Sequence, residues 1–450
     1  MPILPIDAGR YGSEEVKRIF EEEQVLKYNL EFEAVVAEAQ GMLGIIPKDA
    51  SNEIACKARS NLVRIDRVKE LEAVREHDVA AMVEALVEVC SDIAKPWVHY
   101  GLTSYDVVDT RIAMQMRDAL KIIEDKVKRL TLLLVDKALA YKDLPAVGRT
   151  HGQHASIISF GLKFAVWASD MLMHLERLQE VKKRVLVCKT LGVVGTGSLM
   201  RDKALEVQRI VAERLNLYPV DAATQVVSRE RIAELIAALT LIACTLDKIA
   251  VEVRNLQRSE IDEVMEPFKE GQMGSSAVPV KRNPIKSERV SSIARLMHGI
   301  LIVALENVAL WHERDLSNSA NERFIIPMSI ILLDEMLNSM INVIANLKVK
   351  TDIIARNLML TKGQIFAEFV LDALIRKGMG RIEAYKLVQS IAFEASNKGI
   401  EFLEALKGDE RIINIITKDE LDNIFNAKEH LGASYIIIKE IADKAVTMCK

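Results

Sequence analysis

The sequence predicts an all-α protein, an elongated bundle of long helices, and three observations carry that prediction. Its 450 residues include only 20 Gly and 10 Pro, whereas average usage is about 7% Gly and 5% Pro. Strand-rich folds reverse direction on those residues, so their scarcity favours helices and argues against a β-sandwich. The stretch from Leu102 to Leu144 contains neither residue. Apolar side chains recur within it at three- and four-residue spacing, which lines one face of a helix.

Taken in order, the first long element is marked by Ile112, Met116, Leu120, Ile123, Val127, Leu130 and Leu134, and a helix is expected from near Val108 to Tyr141. Ser228 to about Glu263 repeats the pattern with Ile232, Leu235, Leu239, Ile242, Leu246 and Ile249. A third run covers roughly Glu288 to His312, and no proline follows Pro327. Helices of about 30 residues far exceed the usual three turns. They suit a bundle that continues across subunits. A coiled-coil rod would show a narrower seam and fewer interruptions. These limits divide the chain into an N-terminal helical region (1–103), a central bundle (104–352) with a loop at 271–284, and a C-terminal helical region (353–450).

Charge excludes several roles. Sixty Lys+Arg against sixty-four Asp+Glu leave a net charge of −4 with no long single-sign block, unlike the basic stripe of a nucleic-acid binder. Half the residues are apolar, enough for a large core and too many for wholesale disorder. Cys56, Cys90, Cys188, Cys244 and Cys449 form no CxxC pair, which fits reduced thiols and neither a disulfide framework nor a zinc site. The opening MPILPIDAGRYGSEE lacks a basic segment followed by an apolar one, so no secretory leader is read. Apolar runs such as SIILLDEMLNSMINVIANL are broken by charge, short of the roughly 20 residues a span requires. A cytoplasmic protein with neither membrane nor nucleic acid as partner is expected.

Chemistry gathers where the helices are interrupted. The first interruption is Trp97-Val-His-Tyr-Gly-Leu-Thr-Ser-Tyr-Asp106. A histidine, two hydroxyls and an acid at a helix N-terminus can hold an anion, because free N–H groups point outward there. Thr103, Ser104 or Asp106 would equally serve as ordinary caps. The second is Gly148-Arg-Thr-His-Gly-Gln-His154. Its two histidines have no third ligand at characteristic spacing, so no metal is expected. A histidine acid or base suits it better, since that pKa lies near working pH, although a plain loop histidine is also consistent. The third is Gly271-Gln-Met-Gly-Ser-Ser-Ala-Val-Pro-Val-Lys-Arg-Asn-Pro-Ile-Lys-Ser-Glu288. Its glycines and prolines interrupt any helix, and it lacks the order of a phosphate-binding P-loop. It carries Ser275, Ser276 and Lys281, a possible nucleophile or base beside a cation.

GSSAVPVKRNPIKSE closely resembles the signature loop of the fumarase/aspartase superfamily, whose members cleave C–N or C–O bonds and release fumarate. GLTSYDVVDT and GRTHGQHASIISFG resemble its other two motif regions, in the right order, and the likeness runs from GRYGSEE to LTKGQIFAEFVLDALIRKGMGRIEAY. Within the superfamily the chain resembles the adenylosuccinate lyase family. Arg10-Tyr11, His77-Asp78, KPWVHYGLTS, TQVVSRER around Gln225 and WHERDLSNSANER carry that distinction.

The resemblance implies a fumarase/aspartase-like fold, a central long-helix bundle flanked by two smaller helical domains. It implies β-elimination of fumarate from adenylosuccinate to give AMP, and from the succinylaminoimidazole carboxamide ribotide (SAICAR) to give AICAR, without cofactor or metal. Ser275 would be the base, with Ser276 its nearest rival, and Lys281 and loop N–H groups would stabilise the alkoxide. His151 would be the acid, oriented by Glu288, with His99 and His77 in the same pocket beside Asp78. Thr103, Ser104, Thr150, Lys281 and Asn283 would hold the succinyl carboxylates. Arg10, Tyr11, Arg289, Arg314 and Ser319 match positions that bind the nucleotide phosphate, where arginine's planar fork is apt, and Gln225 matches a position at the substrate. A homotetramer with shared sites is implied as well. It agrees with the length of the first helix, about 50 Å over some 34 residues, which would hold His99 and His151 apart within one copy.

The sequence departs from the family at Val278, Val280 and SIISFG, which affects loop packing and not acid–base groups. A carboxymuconate cycloisomerase or argininosuccinate lyase would not need the arginine set. A non-catalytic helical scaffold would not need Ser275, His151 and Lys281 together.

Overall fold

A computed structural model describes residues 4–449 of the chain. The elements that position the motifs are α1 (Glu22–Met42), α2 (Asp78–Glu88), α3 (Ser104–Ala140), a hairpin of β1 (Pro145–Thr150) and β2 (Gln153–Ser159), α4 (Phe160–Val185), α5 (Glu230–Leu256), α6 (Ile285–Glu306) and α7 (Ser319–Ala345). Further helices follow from Thr351 to Met448. The expectation of a mostly helical chain holds.

All seven stripe residues of α3 are at most 7% exposed, as are all six of α5. The long periodic runs therefore form helices because each supplies a continuous apolar face for burial. α3 begins four residues earlier than its apolar stripe suggested and runs 37 residues. Polar residues opened that first turn, which periodicity does not see.

The residues group into two compact units. Unit 1 comprises the chain up to Val127, His174–Leu246 and Ser291–Asn338, and unit 2 comprises Lys128–Met173, Asp247–Val290 and Ser339 onward. α3 to α7 each contribute residues to both.

In unit 1, α1 is buried on nearly every side, with Phe32, Val35, Val36 and Ala39 at or below 2% exposure. α7 is long and apolar enough to cross a membrane, yet 72% of its most apolar stretch is buried inside the protein. The charges read as breaking that run are used internally. The Ser13 N–H donates to Asp334 at 2.8 Å and the Gly12 N–H to Glu335 at 3.3 Å. Gly12 lies at φ +80°, and a Cβ there would stand 2.4 Å from the Ile331 side chain. The Arg10–Ser13 segment is thereby seated on α7.

Unit 2 has a C-terminal core of Val370, Leu374, Leu387, Val388, Ile391, Phe402, Leu406, Ile412 and Leu421. A second cluster joins Val147 and Ile157 of the hairpin to Leu358, Ile365 and Phe366. No strands were expected between the long helices. The hairpin's His151-Gly152 turn has both residues at positive φ, +52° and +76°, the two-residue turn whose twist matches antiparallel strands. Beyond β2, the Ser159 hydroxyl donates to the Lys142 carbonyl at 2.7 Å and the Gly161 N–H to the Tyr141 carbonyl at 3.0 Å. These bonds satisfy carbonyls at the end of α3. A Cβ on Gly161 would stand 2.3 Å from the Ala138 carbonyl oxygen, so SIISFG ends in the one residue that fits.

Candidate active site

Unit 1 assembles one group of the expected residues. His77 is the N-cap of α2, and its Nδ1 accepts the Ala80 N–H at 3.3 Å. The other ring nitrogen then carries the proton of the neutral imidazole, an assignment made from the partners. That Nε2 stands 3.3 Å from Ser104 Oγ at the start of α3. Asp78 accepts the Val79 N–H at 2.8 Å and Arg323 at 3.0 Å.

The capping alternative holds for one residue of the motif. Asp106 Oδ2 accepts the Thr103 N–H at 2.8 Å, half of a capping box. The same buried carboxylate pairs with Lys189 at 2.5 Å and accepts the Gly192 N–H at 3.0 Å. Burial pushes the Asp106 carboxyl up, and the opposing pull of Lys189 and the two N–H groups does not cancel it. Because Asp106 does the capping, the Thr103 and Ser104 hydroxyls need not.

His99 lies at φ +58°, a left-handed backbone that costs a non-glycine residue about 1–3 kcal/mol. Its Nδ1 is 2.6 Å from Glu33 Oε1 on α1. Burial alone would disfavour a charged ring. The Glu33 charge and hydrogen bond, with Asp106 behind them, outweigh it and raise the pKa.

Gln225 and Arg314 meet directly, Arg314 donating to Gln225 Oε1 at 2.8 Å while its guanidinium lies 3.5 Å from the Tyr105 ring centroid. Arg314 Nε is buried and without a hydrogen-bond partner. Ser319 is the first residue of α7, Arg10 is exposed and Tyr11 half-buried.

Unit 2 holds the other group. His151 sits at the hairpin tip, exposed, between exposed Thr150 and Gly152. The strand beneath is anchored where Arg149 donates to the fully buried Glu263 at 2.5 Å. In the loop, Ser275 Oγ accepts the Val278 N–H at 3.1 Å and the Ala277 N–H at 3.3 Å. Two donors on one hydroxyl oxygen favour its charged form, which is what a serine base requires. Ser276 is exposed and Ser275 half-buried. Asn283 Nδ2 donates to the Gly274 carbonyl at 3.0 Å, closing the loop. Lys281 is exposed and has no ion-pair partner among the described residues. Glu288 lies in the first turn of α6 and Arg289 follows it. Within one chain no hydrogen bond joins Glu288 to His151 among the described residues, so the expected carboxylate–imidazole contact is not formed there.

Sequence reading missed the residues that hold these groups. Glu33 supports His99, Arg323 reaches Asp78, and buried Arg229 links Asp109 to Glu322. Each partner is 66 or more residues away along the chain, so no local pattern reveals it. The one available signal was a charged residue inside an apolar helical run, as with Glu33.

A lyase family model matches residues 9–299, and a model of the adenylosuccinate lyase C-terminus matches residues 363–441. Adenylosuccinate lyase of Pyrococcus abyssi is 44% identical over 443 residues, 98% of each chain. That of Methanocaldococcus jannaschii is 43% identical over 98% of this chain and 96% of its own. Among solved structures, 3-carboxy-cis,cis-muconate lactonizing enzyme from Pseudomonas putida superposes with a TM-score of 0.90 at 27% identity, covering 99% of this chain and 100% of that one. A fumarate lyase from Mesorhizobium sp. BNC1 gives 0.89 at 27% identity, covering 98% and 100%.

Proposed function

Given that the chain belongs to the adenylosuccinate lyase family, we propose that its active site is completed between copies of the chain, one copy supplying the unit 1 group and another the unit 2 group. The reaction releases fumarate from adenylosuccinate, leaving AMP, and from SAICAR, leaving AICAR, in purine nucleotide biosynthesis. It needs a base for a carbon-bound proton, a cradle for the carboxylate on which charge develops, and an acid for the leaving nitrogen.

Ser275 is assigned as the base. Its Oγ, activated by the Ala277 and Val278 N–H groups, takes the proton from the carbon beside the C–N bond. The electron pair moves onto the adjoining carboxylate, cradled by Lys281, Asn283, Thr150, Thr103 and Ser104. The C–N bond then breaks, and His151 gives its proton to the departing nitrogen. Arg10, Tyr11, Arg289, Arg314 and Ser319 bind the nucleotide phosphate, with Gln225 holding Arg314 in place. His77 and Asp78 complete the wall beside Ser104. Ser276 is the alternative base, and Glu288 of one copy is assigned to orient His151 of another.

The observation that carries this reading is the isolation of His151. It stands exposed on a hairpin tip, partnerless among the described residues of its own chain. His99 precedes α3 and His151 follows it, and 37 helical residues span about 55 Å at 1.5 Å per residue. A second copy running antiparallel brings one His99 beside another's His151, and a cytoplasmic homotetramer provides four such pairings. We propose the divisions 1–103, 104–352 and 353–450 as its N-terminal, bundle and C-terminal regions.

The test is product analysis with adenylosuccinate. Wild-type protein should give equal amounts of AMP and fumarate, and Ser275→Ala should bind substrate with little turnover. If Ser276→Ala is the inactive variant and Ser275→Ala turns over normally, the assignment of the base is wrong.

A further inference from the structure

α1 is buried over much of its length, and two polar side chains are buried in it, Glu33 at 2% exposure and Gln40 at 1%. They are seven residues apart, two helical turns, and so share a face. Both are directed at the same two-residue segment. Glu33 meets His99 Nδ1 at 2.6 Å, and Gln40 Nε2 donates to the Tyr100 carbonyl at 2.7 Å. A buried carboxylate or amide is costly unless its hydrogen bonds are made, so these two are placed for the segment they hold. The segment is itself held in an unfavourable conformation, with His99 at φ +58°. Observed backbone strain of this kind persists only where surrounding contacts over-determine it.

We propose that Glu33 is a positioning residue for His99: it keeps Nδ1 protonated and the ring oriented, so that Nε2 is presented to an anionic oxygen of the substrate. The proposal rests on His99 being a substrate-facing residue, as assigned above. A carboxylate on one ring nitrogen fixes the tautomer and raises the basicity of the other. The resulting imidazolium donates to a carboxylate or phosphate and makes a poor base. The charged groups facing His99 are Glu33 on α1 and Asp106 on α3, the latter paired with Lys189. Because Asp106 is shared with a lysine and two N–H groups, Glu33 is the dominant anion for His99.

The experiment replaces Glu33 by Gln in the assembled enzyme, which keeps shape and an acceptor but removes the charge. Histidine NMR titration with carbon-13 labelling follows the His99 ring, identified by its absence in His99→Asn. The His99 midpoint should move to lower pH in Glu33→Gln and return toward wild type in Glu33→Asp. The alkaline limb of kcat/KM for adenylosuccinate should move with it, mainly through KM. A His99 titration that stays put in Glu33→Gln overturns the proposal. If the titration moves and the activity profile does not, His99 does not meet the substrate, and the proposal falls with that assignment. Should Glu33→Gln fail to assemble, Glu33→Ala, which also removes the charge, carries the same readout, and an unmoved midpoint and profile there overturn the proposal equally.

Discussion

Arg229 is 1% exposed at its side chain and lies between Asp109 at 1% and Glu322 at 4%. It donates to Asp109 at 2.7 Å, to Glu322 at 3.1 Å and twice to the Val227 carbonyl, at 2.9 and 3.0 Å. Asp109 in turn accepts the Val227 N–H at 2.8 Å, and Glu322 accepts Asn318 at 3.0 Å. Arg229→Met keeps the length and removes the charge, stranding two buried carboxylates. Breaking such a group from one side costs about 3–5 kcal/mol. With an unfolding entropy of about 2.1 cal/mol/K per residue, Tm falls by about 3–5 °C if all 450 residues melt together. It falls by about 6–10 °C if unit 1, about 250 residues, melts alone. The loss depends on pH in a definite sense. Burial and Asp109 already raise the Glu322 carboxyl, with Arg229 pulling against them. Without Arg229 the folded-state pKa rises further above the unfolded value, and the neutral form that relieves the repulsion is lost as pH rises through it. The deficit should therefore be larger near about pH 8 than near about pH 5. Thermal melts of wild type and Arg229→Met at both pH values measure it. A variant melting within about 2 °C of wild type near pH 8 would refute the reasoning, because Tm shifts of that size correspond to at most a couple of kcal/mol.

Three other outcomes follow from the geometry. His151→Gln should lose about 10²–10⁴-fold in kcat, as removal of a general acid does; turnover within a few-fold of wild type would move the acid elsewhere, first to His99. A Cβ on Gly274 would stand 2.0 Å from the Lys281 carbonyl oxygen, so Gly274→Ala should depress kcat in steady-state assays while leaving thermal stability nearly unchanged, since the loop is largely exposed. Arg314→Met removes a charge-assisted donor worth about 1.5–3 kcal/mol, and kinetics should show KM for adenylosuccinate rising by about tenfold or more with a smaller change in kcat.

Periodicity made the fold legible where one face of a helix had to be buried. The stripes of α3 and α5 were readable residue by residue because an apolar side chain every three or four positions has no other use. The hairpin carrying His151 was not read, although His-Gly between polar flanks is a two-residue turn signal. Its strands are short and only Val147, Ala146, Ile157 and Ser159 are buried, so no alternation stands out. The candidate site residues were named from motifs, and in the folded chain Gln225 lies beside Arg314 and His77 beside Ser104. Their supports were not legible. Nothing near Glu33 or Arg229 in the chain points to His99 or Glu322, because pairing across such separations is a property of the folded chain. Glu288 was paired with His151 by resemblance, and within a single chain that contact is not made.

A shared active site has one direct measurement. His99→Ala and His151→Ala proteins, each purified and inactive, are dissociated, mixed and allowed to reassemble, and fumarate release from adenylosuccinate is followed. If each site takes its unit 1 group from one copy and its unit 2 group from another, mixed assemblies contain sites with both histidines intact, and activity returns above that of either parent. If the mixture stays as inactive as its parents while wild-type protein carried through the same cycle recovers, each chain holds both histidines of its own site, and the account is wrong.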